Sequence, residues 1–449
     1  MSAAVSTDAG AAAVLDASRV PRVRVVREPR LVRVALAGCG SVGGALVRLL
    51  ASDAGRQAAA RAGLRFELAG VLVRNVDAPR AHAPPRELLT ADLDKFLSTI
   101  AGGADVVVEA IGGLAPAGRI ARAALTCGRR LVTANKALVA AHGPALARLA
   151  ERNRRAGAAL DFEAAVCGGV PVVRTLRESL GGVGVTSVCG ILNGTTNHVL
   201  TRLAEGVSFD GAVREAQAMG FAEADPTRDL SGRDPADKLA LLAWIAFGSD
   251  PSALRVDVRG IERGAEVLSA AAAALGGTLR LIASARAEDG IVHASVLPTV
   301  VPADSAFARV TGEENLVVIH SESSGPVRLG GRGAGGDPTA AALFADLLRP
   351  AAPLHAHRKG PVLGTARLGG TADGPGLRNW VLVVDERDAD AVRRAVRGRG
   401  VFVGREVRVG GMVVLVTSGT PLDVVEAAVA SSGVRRARWG LARQDLDAP

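Results

Sequence analysis

The chain has 449 residues, a 48% hydrophobic fraction and a formal net charge of +9. That length exceeds one ordinary core and predicts two or three domains, because a domain commonly takes roughly 150 residues. The positive charge comes from arginines scattered along the chain, without a basic block and with few aromatic residues, which argues against nucleic acid as a partner. An anionic small molecule fits this charge better.

The cysteines and the apolar runs indicate in which cellular compartment the protein functions. Four cysteines are widely separated and form no close-spaced pair of the kind used in zinc or redox sites, so they indicate reduced thiols and a cytoplasmic protein. No apolar run reaches the roughly 18 residues of a membrane span. No apolar signal core follows a basic start. We therefore expect no membrane partner and interpret residues 1–30 as a disordered tail.

The first part of the chain alternates strand-like apolar runs with alanine-rich helical segments. Strands are predicted at 31–37, 68–73, 105–110, 131–133 and 159–162, and helices at 116–126 and 144–156. This alternation predicts the α/β class, with a parallel sheet covered by helices. We assign residues 31–162 to a Rossmann-type dinucleotide-binding domain, to which the chain returns at 331–360.

The rest of the chain predicts two further domains. Residues 163–330 mix glycine-rich turns, strands and helices, which indicates an α+β domain. A Gly/Thr-rich linker at 361–375 then leads into residues 375–449, where the order β-α-β-β-α-β predicts a small ferredoxin-like module.

A glycine turn follows the first predicted strand and precedes a helical pattern. Its glycines allow a tight turn, close approach of a pyrophosphate, and N–H donation from the helix N-terminus. The acidic residue expected at the end of the second strand is absent, and Arg74 follows that strand instead. Arginine there favours the 2′-phosphate of NADP(H), although a solvated loop charge is an equal alternative and NAD(H) stays open. The candidate cofactor residues are Gly38, Gly40, Ser41, Val42, Gly43 and Arg74.

An acidic segment at 223–238 surrounds one lysine just before an apolar helical run. Its charged residues include Glu223, Asp225, Asp229, Asp234, Asp237 and Lys238. The chain has four lysines against fifty arginines, and an ammonium, unlike a guanidinium, can release a proton. Several carboxylates beside one ammonium suit a zwitterionic substrate. Asp234 before Pro235 is equally well explained as the N-cap of a helix that ends before Gly248.

Two other polar turns follow predicted strands. Lys136 comes at the carboxyl end of a strand, the edge where open α/β sheets bind ligands, and a surface lysine is the alternative. Asn193 and Thr195 lie in the turn at 191–197, after another strand. For that turn the pattern leaves a site and an ordinary loop equally open.

Together these segments resemble homoserine dehydrogenases over about 31–348. The matching stretches are GCGSVG, TANKALVA, DFEAAVCGGVP, ILNGTTNHVL, AQAMGFAEADPTRDLSGRDPADK and GRGAGGDPTA. The resemblance implies an NAD(P)-dependent oxidoreductase that interconverts L-homoserine and L-aspartate 4-semialdehyde, on the route to threonine, isoleucine and methionine. It also implies that residues 163–330 serve substrate binding and dimerisation, and we expect a homo-oligomer, either a dimer or a tetramer.

The resemblance implies roles for the polar residues. Glu223 would hold the substrate amino group, with Asn193 and Thr195 also binding substrate. Asp229 and Asp234 would organise the polar site.

Two lysines and one glycine complete the implied site. Lys238 would exchange the proton at the hydroxyl or aldehyde oxygen. Lys136 would lie between cofactor and substrate, and Gly335 would contact the cofactor. The family also binds a structural monovalent cation, Na⁺ or K⁺. Its ligands map to Glu163 and the backbone oxygens of Val166, Gly168 and Val170.

Some positions depart from the family pattern without removing a proposed catalytic group. His198 stands where tyrosine is usual, Ser231 where an acidic residue or asparagine is common, and Pro235 where a small helix former is usual. The C-terminal segment has the length and element order of the family's ACT domain. Residues 385–388 lack the Arg-Pro-Gly turn that helps to bind an amino-acid effector, which argues against threonine feedback.

The charge around Lys238 bears on its role. Neighbouring carboxylates favour the charged lysine, so unless burial opposes them we expect Lys238 to act mainly as the acid in aldehyde reduction, either directly or through water. Two alternatives stay open. One is an NADP-dependent dehydrogenase of another amino-acid semialdehyde, and the other is a catalytically silent nucleotide-binding sensor.

Overall fold

The computed structural model describes residues 28–262, 264–349, 367–368, 378–434 and 438–442. Most of the predicted tail and of the predicted linker lies outside the described residues. Within the described ranges, no helix has the length and apolarity needed to cross a membrane.

The N-terminal part folds around one parallel sheet. Its strands are β1 (Arg30–Ala37), β2 (Leu64–Leu72), β3 (Leu89–Thr90), β4 (Val106–Glu109), β5 (Arg130–Thr133) and β6 (Ala159–Asp161). Its helices are α1 (Ser41–Ala51), α2 (Asp53–Arg61), α3 (Leu93–Gly102), α4 (Ala117–Thr126) and α5 (Lys136–Arg152). The strand order β3-β2-β1-β4-β5-β6 reverses direction beside β1. That switch point is where doubly wound sheets bind ligands, outside the carboxyl ends of the strands.

The predicted α/β class with a parallel sheet is confirmed, but two boundaries were wrong. Strand β2 begins at Leu64 rather than at residue 68. Helix α5 begins at Lys136 rather than at Pro144, which lies inside the helix. The true start is set by Asn135, whose side chain accepts the N–H of Leu138 at 3.0 Å and so caps the first turn.

The middle of the chain builds a second, mixed sheet with helices. Its elements are α6 (Val172–Arg174), β7 (Val185–Ile191), α7 (Gly194–Ala204), α8 (Phe209–Ala218), α9 (Thr227–Leu230), α10 (Arg233–Phe247), β8 (Asp257–Val258), α11 (Ala265–Ala274), β9 (Gly277–Glu288), β10 (Ile291–Pro302), β11 (Glu314–Ser321) and β12 (Val327–Arg332). Helix α10 packs against β7, β9 and β10 and also against α5 of the first domain. Helix α12 (Gly336–Leu347) then packs against α1. Helix α10 therefore lies at the junction of the two domains, and α12 returns the chain to the first.

The C-terminal elements are β13 (Arg367–Leu368), β14 (Asn379–Asp385), α13 (Ala389–Gly398), β15 (Phe402–Val409), β16 (Met412–Ser418), α14 (Leu422–Ser431) and β17 (Arg438–Ala442). From β14 onward they follow the order β-α-β-β-α-β, and their strands pair antiparallel in the order β17-β14-β16-β15. Strand β17 also pairs in parallel with β10. The C-terminal strands therefore extend the second sheet, a connection that the sequence did not predict.

The junction between α5 and α10 depends on a glycine. The indole of Trp244 on α10 stacks on Phe162 with ring centroids 5.6 Å apart. A Cβ atom at Gly143 on α5 would lie 2.8 Å from that indole. Because the indole is buried and stacked, it has little room to withdraw.

We expect Gly143→Ala to lower the free energy of unfolding by about 1–2 kcal/mol, since overpacking outweighs the gain in helix propensity. Gly118→Ala is the matched control in helix α4, because a Cβ there would meet its nearest atom at 3.5 Å. Denaturant unfolding of both variants measures the difference. Equal stability of the two variants would contradict the proposed packing constraint.

Candidate active site

A cleft of about 1030 Å³ opens between the carboxyl ends of the first sheet and the second domain. Both domains and the start of α12 line it. Its lining includes Ser41, Val42, Lys136, Asn193, Thr195, Glu223, Asp229, Asp234, Lys238 and Gly335. The fold therefore brings residues from five separated segments to one place.

The glycine turn before α1 has the geometry that a dinucleotide requires. Gly38 has a φ of +97°, and a Cβ there would lie 2.6 Å from the carbonyl oxygen of Ala110. A Cβ at Gly43 would collide with the carbonyl of Gly38, whereas the space beside Gly40 is open. No side chain caps the N-terminus of α1. These features fit a pyrophosphate held by the N–H groups of the helix.

The start of α12 lies beside this turn. A Cβ at Gly336 would lie 2.9 Å from the carbonyl oxygen of Ser41. Gly335 has a φ of +110° and precedes a helix that also has no side-chain cap. The side chains of Arg48 and Asp337 form an ion pair at 2.5 Å between the two helices. Gly335 is thereby brought to the cofactor side of the cleft, next to Ser41.

Arg74 lies just after β2, exposed and outside the cleft lining. The end of β2 is joined to the glycine turn, because the N–H of Gly38 donates to Leu72 O at 2.9 Å. Arg80, which follows in the same loop, turns its guanidinium back to the carbonyl of Ala78 at 2.7 Å. The structure thus places Arg74 near the glycine turn, while Arg80 shapes the loop.

The predicted N-cap role of Asp234 was wrong. Helix α10 begins at Arg233, and its N-cap residue is Gly232 in the left-handed conformation, with φ 78°. Asp234 already lies within the first helical turn and makes no side-chain cap. Its carboxylate turns instead toward cationic and amide groups in the cleft, which bind it more strongly than a backbone N–H.

Asp234 is the centre of this polar cluster. One carboxylate oxygen contacts the Lys136 ammonium, and the other lies 2.9 Å from the Lys238 Nζ atom. The side-chain amide of Asn193 also donates to Asp234 at 2.9 Å, and to Asp229 at 2.8 Å. Burial opposes ionisation of Asp234, but the two lysines hold its pKa well below the usual range. Asp234 is therefore a carboxylate shared by both candidate lysines.

Asn193 and Thr195 connect this cluster to the surrounding backbone. The side-chain oxygen Oδ1 of Asn193 caps α7 by accepting the backbone N–H of Thr196 at 2.8 Å. The side-chain NH₂ group of Asn193 therefore points at the two aspartates. The hydroxyl of Thr195 donates to Phe221 O at 2.5 Å. The turn at 191–197 therefore lines the cleft with Asn193 and Thr195.

Lys238 is buried and held at two points. Its ammonium donates to the backbone carbonyl of Leu192 at 2.7 Å and pairs with Asp234. Burial by itself would lower the pKa of Lys238, but Asp234 and further nearby groups outweigh it, so the pKa is raised overall. A raised pKa keeps the ammonium charged and suits a proton donor.

The acidic segment separates into different environments. Asp229 faces the cluster, and burial raises its pKa despite the hydrogen bond from Asn193. Glu223 lines the cleft from the loop between α8 and α9. Asp237 points away and accepts from Arg228 at 2.6 Å. The sequence grouped all of these carboxylates around one lysine, and the structure brings only some of them to it.

The residues predicted to hold a monovalent cation do not fit that role well. Both carboxylate oxygens of the buried Glu163 accept backbone N–H groups, at 2.9 Å and 2.7 Å. The carbonyl of Val170 accepts the N–H of Val172 at 2.8 Å. Gly168 lines the cleft, whereas Val166 is buried behind it. Among the described residues, no group of three His, Cys, Asp or Glu side chains could hold a metal. The metal prediction therefore has no support here.

Sequence reasoning missed Glu109, which is fully buried at the end of β4. Its carboxylate accepts the hydroxyl of Thr133 at 2.6 Å and the N–H groups of Ile111 and Gly112 at 2.9 Å and 3.2 Å. It thereby holds together the loops that follow β4 and β5, where Lys136 begins its helix. The sequence pattern that could have identified Glu109 is a charged residue at the end of an apolar strand.

Two family models match the chain. Residues 38–158 match the model described as the NAD binding domain of homoserine dehydrogenase, and residues 171–348 match the model described as homoserine dehydrogenase. A homoserine dehydrogenase of Mycobacterium leprae is 37% identical over 414 residues, which are 87% of this chain and 92% of that protein. This chain belongs to the homoserine dehydrogenase family.

Solved structures of homoserine dehydrogenases are similar to this chain in fold. One from Thiobacillus denitrificans has a TM-score of 0.80 and 30% identity, covering 92% of this chain and 99% of that chain. A hyperthermophilic archaeal homoserine dehydrogenase in complex with NADPH has a TM-score of 0.56 and 26% identity, covering 71% of this chain and 97% of that chain. The resemblance inferred from the motifs is confirmed, and neither alternative function is favoured.

Proposed function

We propose that this protein is an NAD(P)-dependent homoserine dehydrogenase. It interconverts L-homoserine and L-aspartate 4-semialdehyde and so serves threonine, methionine and isoleucine biosynthesis. The observation that carries the proposal is the buried ammonium of Lys238, held between the Leu192 carbonyl and Asp234 in the same cleft as the start of α1. A nicotinamide cofactor, when bound, supplies or accepts the hydride at the carbon that bears the substrate oxygen.

The side chains of the cleft bind the substrate, transfer the proton and position the two lysines. Glu223 binds the substrate ammonium, which is the charge that a carboxylate at the cleft wall attracts. Lys238 donates a proton to the carbonyl oxygen of the aldehyde as it becomes a hydroxyl. Asp234 holds the Lys238 ammonium in place, and its contact with Lys136 fixes the second lysine between substrate and cofactor.

The amide of Asn193 keeps the two aspartates oriented. It donates to both Asp229 and Asp234, so neither carboxylate turns away when substrate enters. Thr195 binds the loop that carries Glu223 through Phe221 O. In homoserine oxidation the proton moves in the reverse direction, from the substrate hydroxyl to an uncharged Lys238. Because the pKa of Lys238 is raised, this uncharged form is scarce at neutral pH. The charged form of Lys238 is the form that proton donation in aldehyde reduction requires.

A steady-state assay tests this function. We expect turnover of aspartate semialdehyde with NADPH and of homoserine with NADP⁺. Binding of NADPH without its oxidation by the aldehyde would support the silent sensor instead, and turnover of another semialdehyde alone would support the other dehydrogenase.

For the cofactor we propose a preference for NADP(H), with Arg74 as the partner of the 2′-phosphate. We expect Arg74→Ala to lower the ratio of kcat/KM for NADPH over that for NADH by about ten-fold, the scale of a hydrogen bond to a charged group. Arg61→Ala is the control, because that exposed arginine precedes the opposite end of β2. An unchanged ratio in Arg74→Ala would discard the phosphate role.

The remaining parts of the proposal concern organisation. We propose a dinucleotide-binding domain at 31–162 and 331–360, a substrate domain at 163–330 and an ACT-like domain at 375–449. The ACT-like assignment is supported by the element order and antiparallel strand order of β14 to β17. A cytoplasmic location, a homo-oligomer and the absence of threonine feedback stay predictions, to be checked by adding threonine to the assay and by light scattering.

A further inference from the structure

The loop between α8 and α9 holds Glu223 at the cleft through its backbone. The N–H groups of Phe221 and Ala222 donate to Ala216 O at 2.8 Å and 3.2 Å, at the end of α8. The hydroxyl of Thr195 holds Phe221 O. These bonds fix the first half of the loop, before Glu223.

Gln217 holds the second half. Its side-chain amide donates to Glu223 O at 3.2 Å and to Ala224 O at 3.1 Å. An amide group has two N–H donors, so one side chain can satisfy two successive carbonyls. Gln217 lies in the last turn of α8, a rigid element that is anchored by the buried Ala212 and Ala216. The position of the Glu223 backbone is therefore tied to a helix by one side chain.

The side chain of Gln217 does not itself line the cleft, whereas Glu223 and Asp225, on either side of the second bond, do. Glu223 and Ala224 are exposed, so few packing contacts restrain this part of the loop. Without the amide, the backbone at Glu223 and Ala224 would lose both of these tethers to α8. The carboxylate would then sample positions away from the substrate amino group.

We propose that Gln217 is a positioning residue for substrate recognition. It fixes the loop so that Glu223 meets the α-ammonium of the amino-acid substrate, and it affects neither hydride transfer nor cofactor binding. This inference rests on the amino-group role of Glu223 in the proposed function.

The test compares Gln217→Ala and Gln217→Glu with the wild-type enzyme. The glutamate keeps the length of the side chain but removes the N–H donors. For both variants we expect KM for homoserine to rise about ten-fold, the scale of one or two neutral hydrogen bonds. We expect kcat and KM for the cofactor to change less than two-fold, roughly the scale of an indirect effect. Arg214→Ala, an exposed change on the same helix, should leave all three constants unchanged.

Two further measurements separate positioning from a general structural role. The competitive inhibition constant of 4-hydroxybutyrate, which is homoserine without its amino group, should not change in Gln217→Ala. In the Glu223→Gln background, Gln217→Ala should raise KM for homoserine little further, because the two residues act on one contact. An unchanged KM in Gln217→Ala, additive effects in the double variant, or an equal loss of 4-hydroxybutyrate binding would overturn the inference.

The single variant Glu223→Gln distinguishes failure of the Gln217 inference from failure of the amino-group role of Glu223. If it weakens homoserine but not 4-hydroxybutyrate while Gln217→Ala changes neither, the positioning inference alone fails. If Glu223→Gln leaves the preference for homoserine intact, the amino-group role in the proposed function is wrong, and the inference is overturned with it.

Discussion

Lys238→Arg is expected to lower kcat for aldehyde reduction by about 10³-fold, since a positioned proton donor contributes roughly 10²–10⁴-fold. Arginine keeps the positive charge beside Asp234, but its guanidinium does not release a proton at the pH of the assay. The glycine turn proposed to hold the cofactor is a separate part of the cleft lining from Lys238, so the dissociation constant of NADPH should stay unchanged. Stopped-flow or steady-state kinetics measure kcat, and quenching of protein fluorescence measures NADPH binding.

Lys238 is buried, and the larger guanidinium has to fit near the Leu192 carbonyl. Lys238→Met serves as a second variant of similar volume without any titratable proton. The matched control is Lys95→Arg, the same chemical change at an exposed lysine of α3. If both Lys238 variants fold, bind NADPH and turn over at near wild-type rates, proton transfer by Lys238 is ruled out.

Asp234→Asn is expected to have the largest effect on stability. The substitution leaves two ammonium groups, those of Lys136 and Lys238, without their shared carboxylate. Removing one partner of a buried ion pair costs about 3–5 kcal/mol. Activity should also fall, by on the order of 10²-fold, because Asp234 no longer holds the Lys238 ammonium that we propose as the proton donor.

The pH dependence of that loss follows from the pKa of Asp234. The two lysines depress its folded-state pKa below the ordinary value of 3.8. A depressed carboxyl pKa contributes stability above the unfolded-state pKa and loses it as pH falls toward the folded-state pKa. The stability difference between wild type and Asp234→Asn should therefore be constant from about pH 5 to pH 9 and shrink below about pH 4.

Thermal or urea unfolding across that range provides the measurement. Asp237→Asn is the control, since Asp237 lies on the same helix and pairs with Arg228 at the more exposed face. We expect a change within about 0.5 kcal/mol there. A difference between wild type and Asp234→Asn that grows as the solution is acidified would contradict the assigned charge state.

Local patterns predicted the first domain well. The glycine turn at 38–43 has a recognisable spacing because Gly38 and Gly43 meet backbone constraints that exclude a side chain, while Gly40 leaves open space. Alternating strands and helices could be read from short windows. The start of α5 was placed too late although its signal is local, because the cap by Asn135 was overlooked and Pro144 was taken as the first turn. For Asp234 the sequence left a cap and a site residue equally open, because two of its three partners, Lys136 and Asn193, are far away in sequence.

In the acidic segment at 223–238, residue types indicated a site, but only the fold showed which side chains contact one another. The rarity of lysine marked Lys238, and the density of carboxylates marked its surroundings. Which carboxylate meets the ammonium could not be read from spacing alone. Asp234 and Asp237 are both on α10, and the turn of the helix directs one into the cleft and the other toward Arg228.

By itself the sequence determined the family, the parallel first sheet, the glycine turn and several of the charged groups in the cleft, because these depend on residue type and short-range spacing. Only the tertiary structure decided that Leu192 presents its carbonyl to Lys238 and that Gln217 holds the backbone at Glu223. It also decided that β17 joins β10. Backbone groups are the same in every residue, so their partners become visible only when the chain is folded.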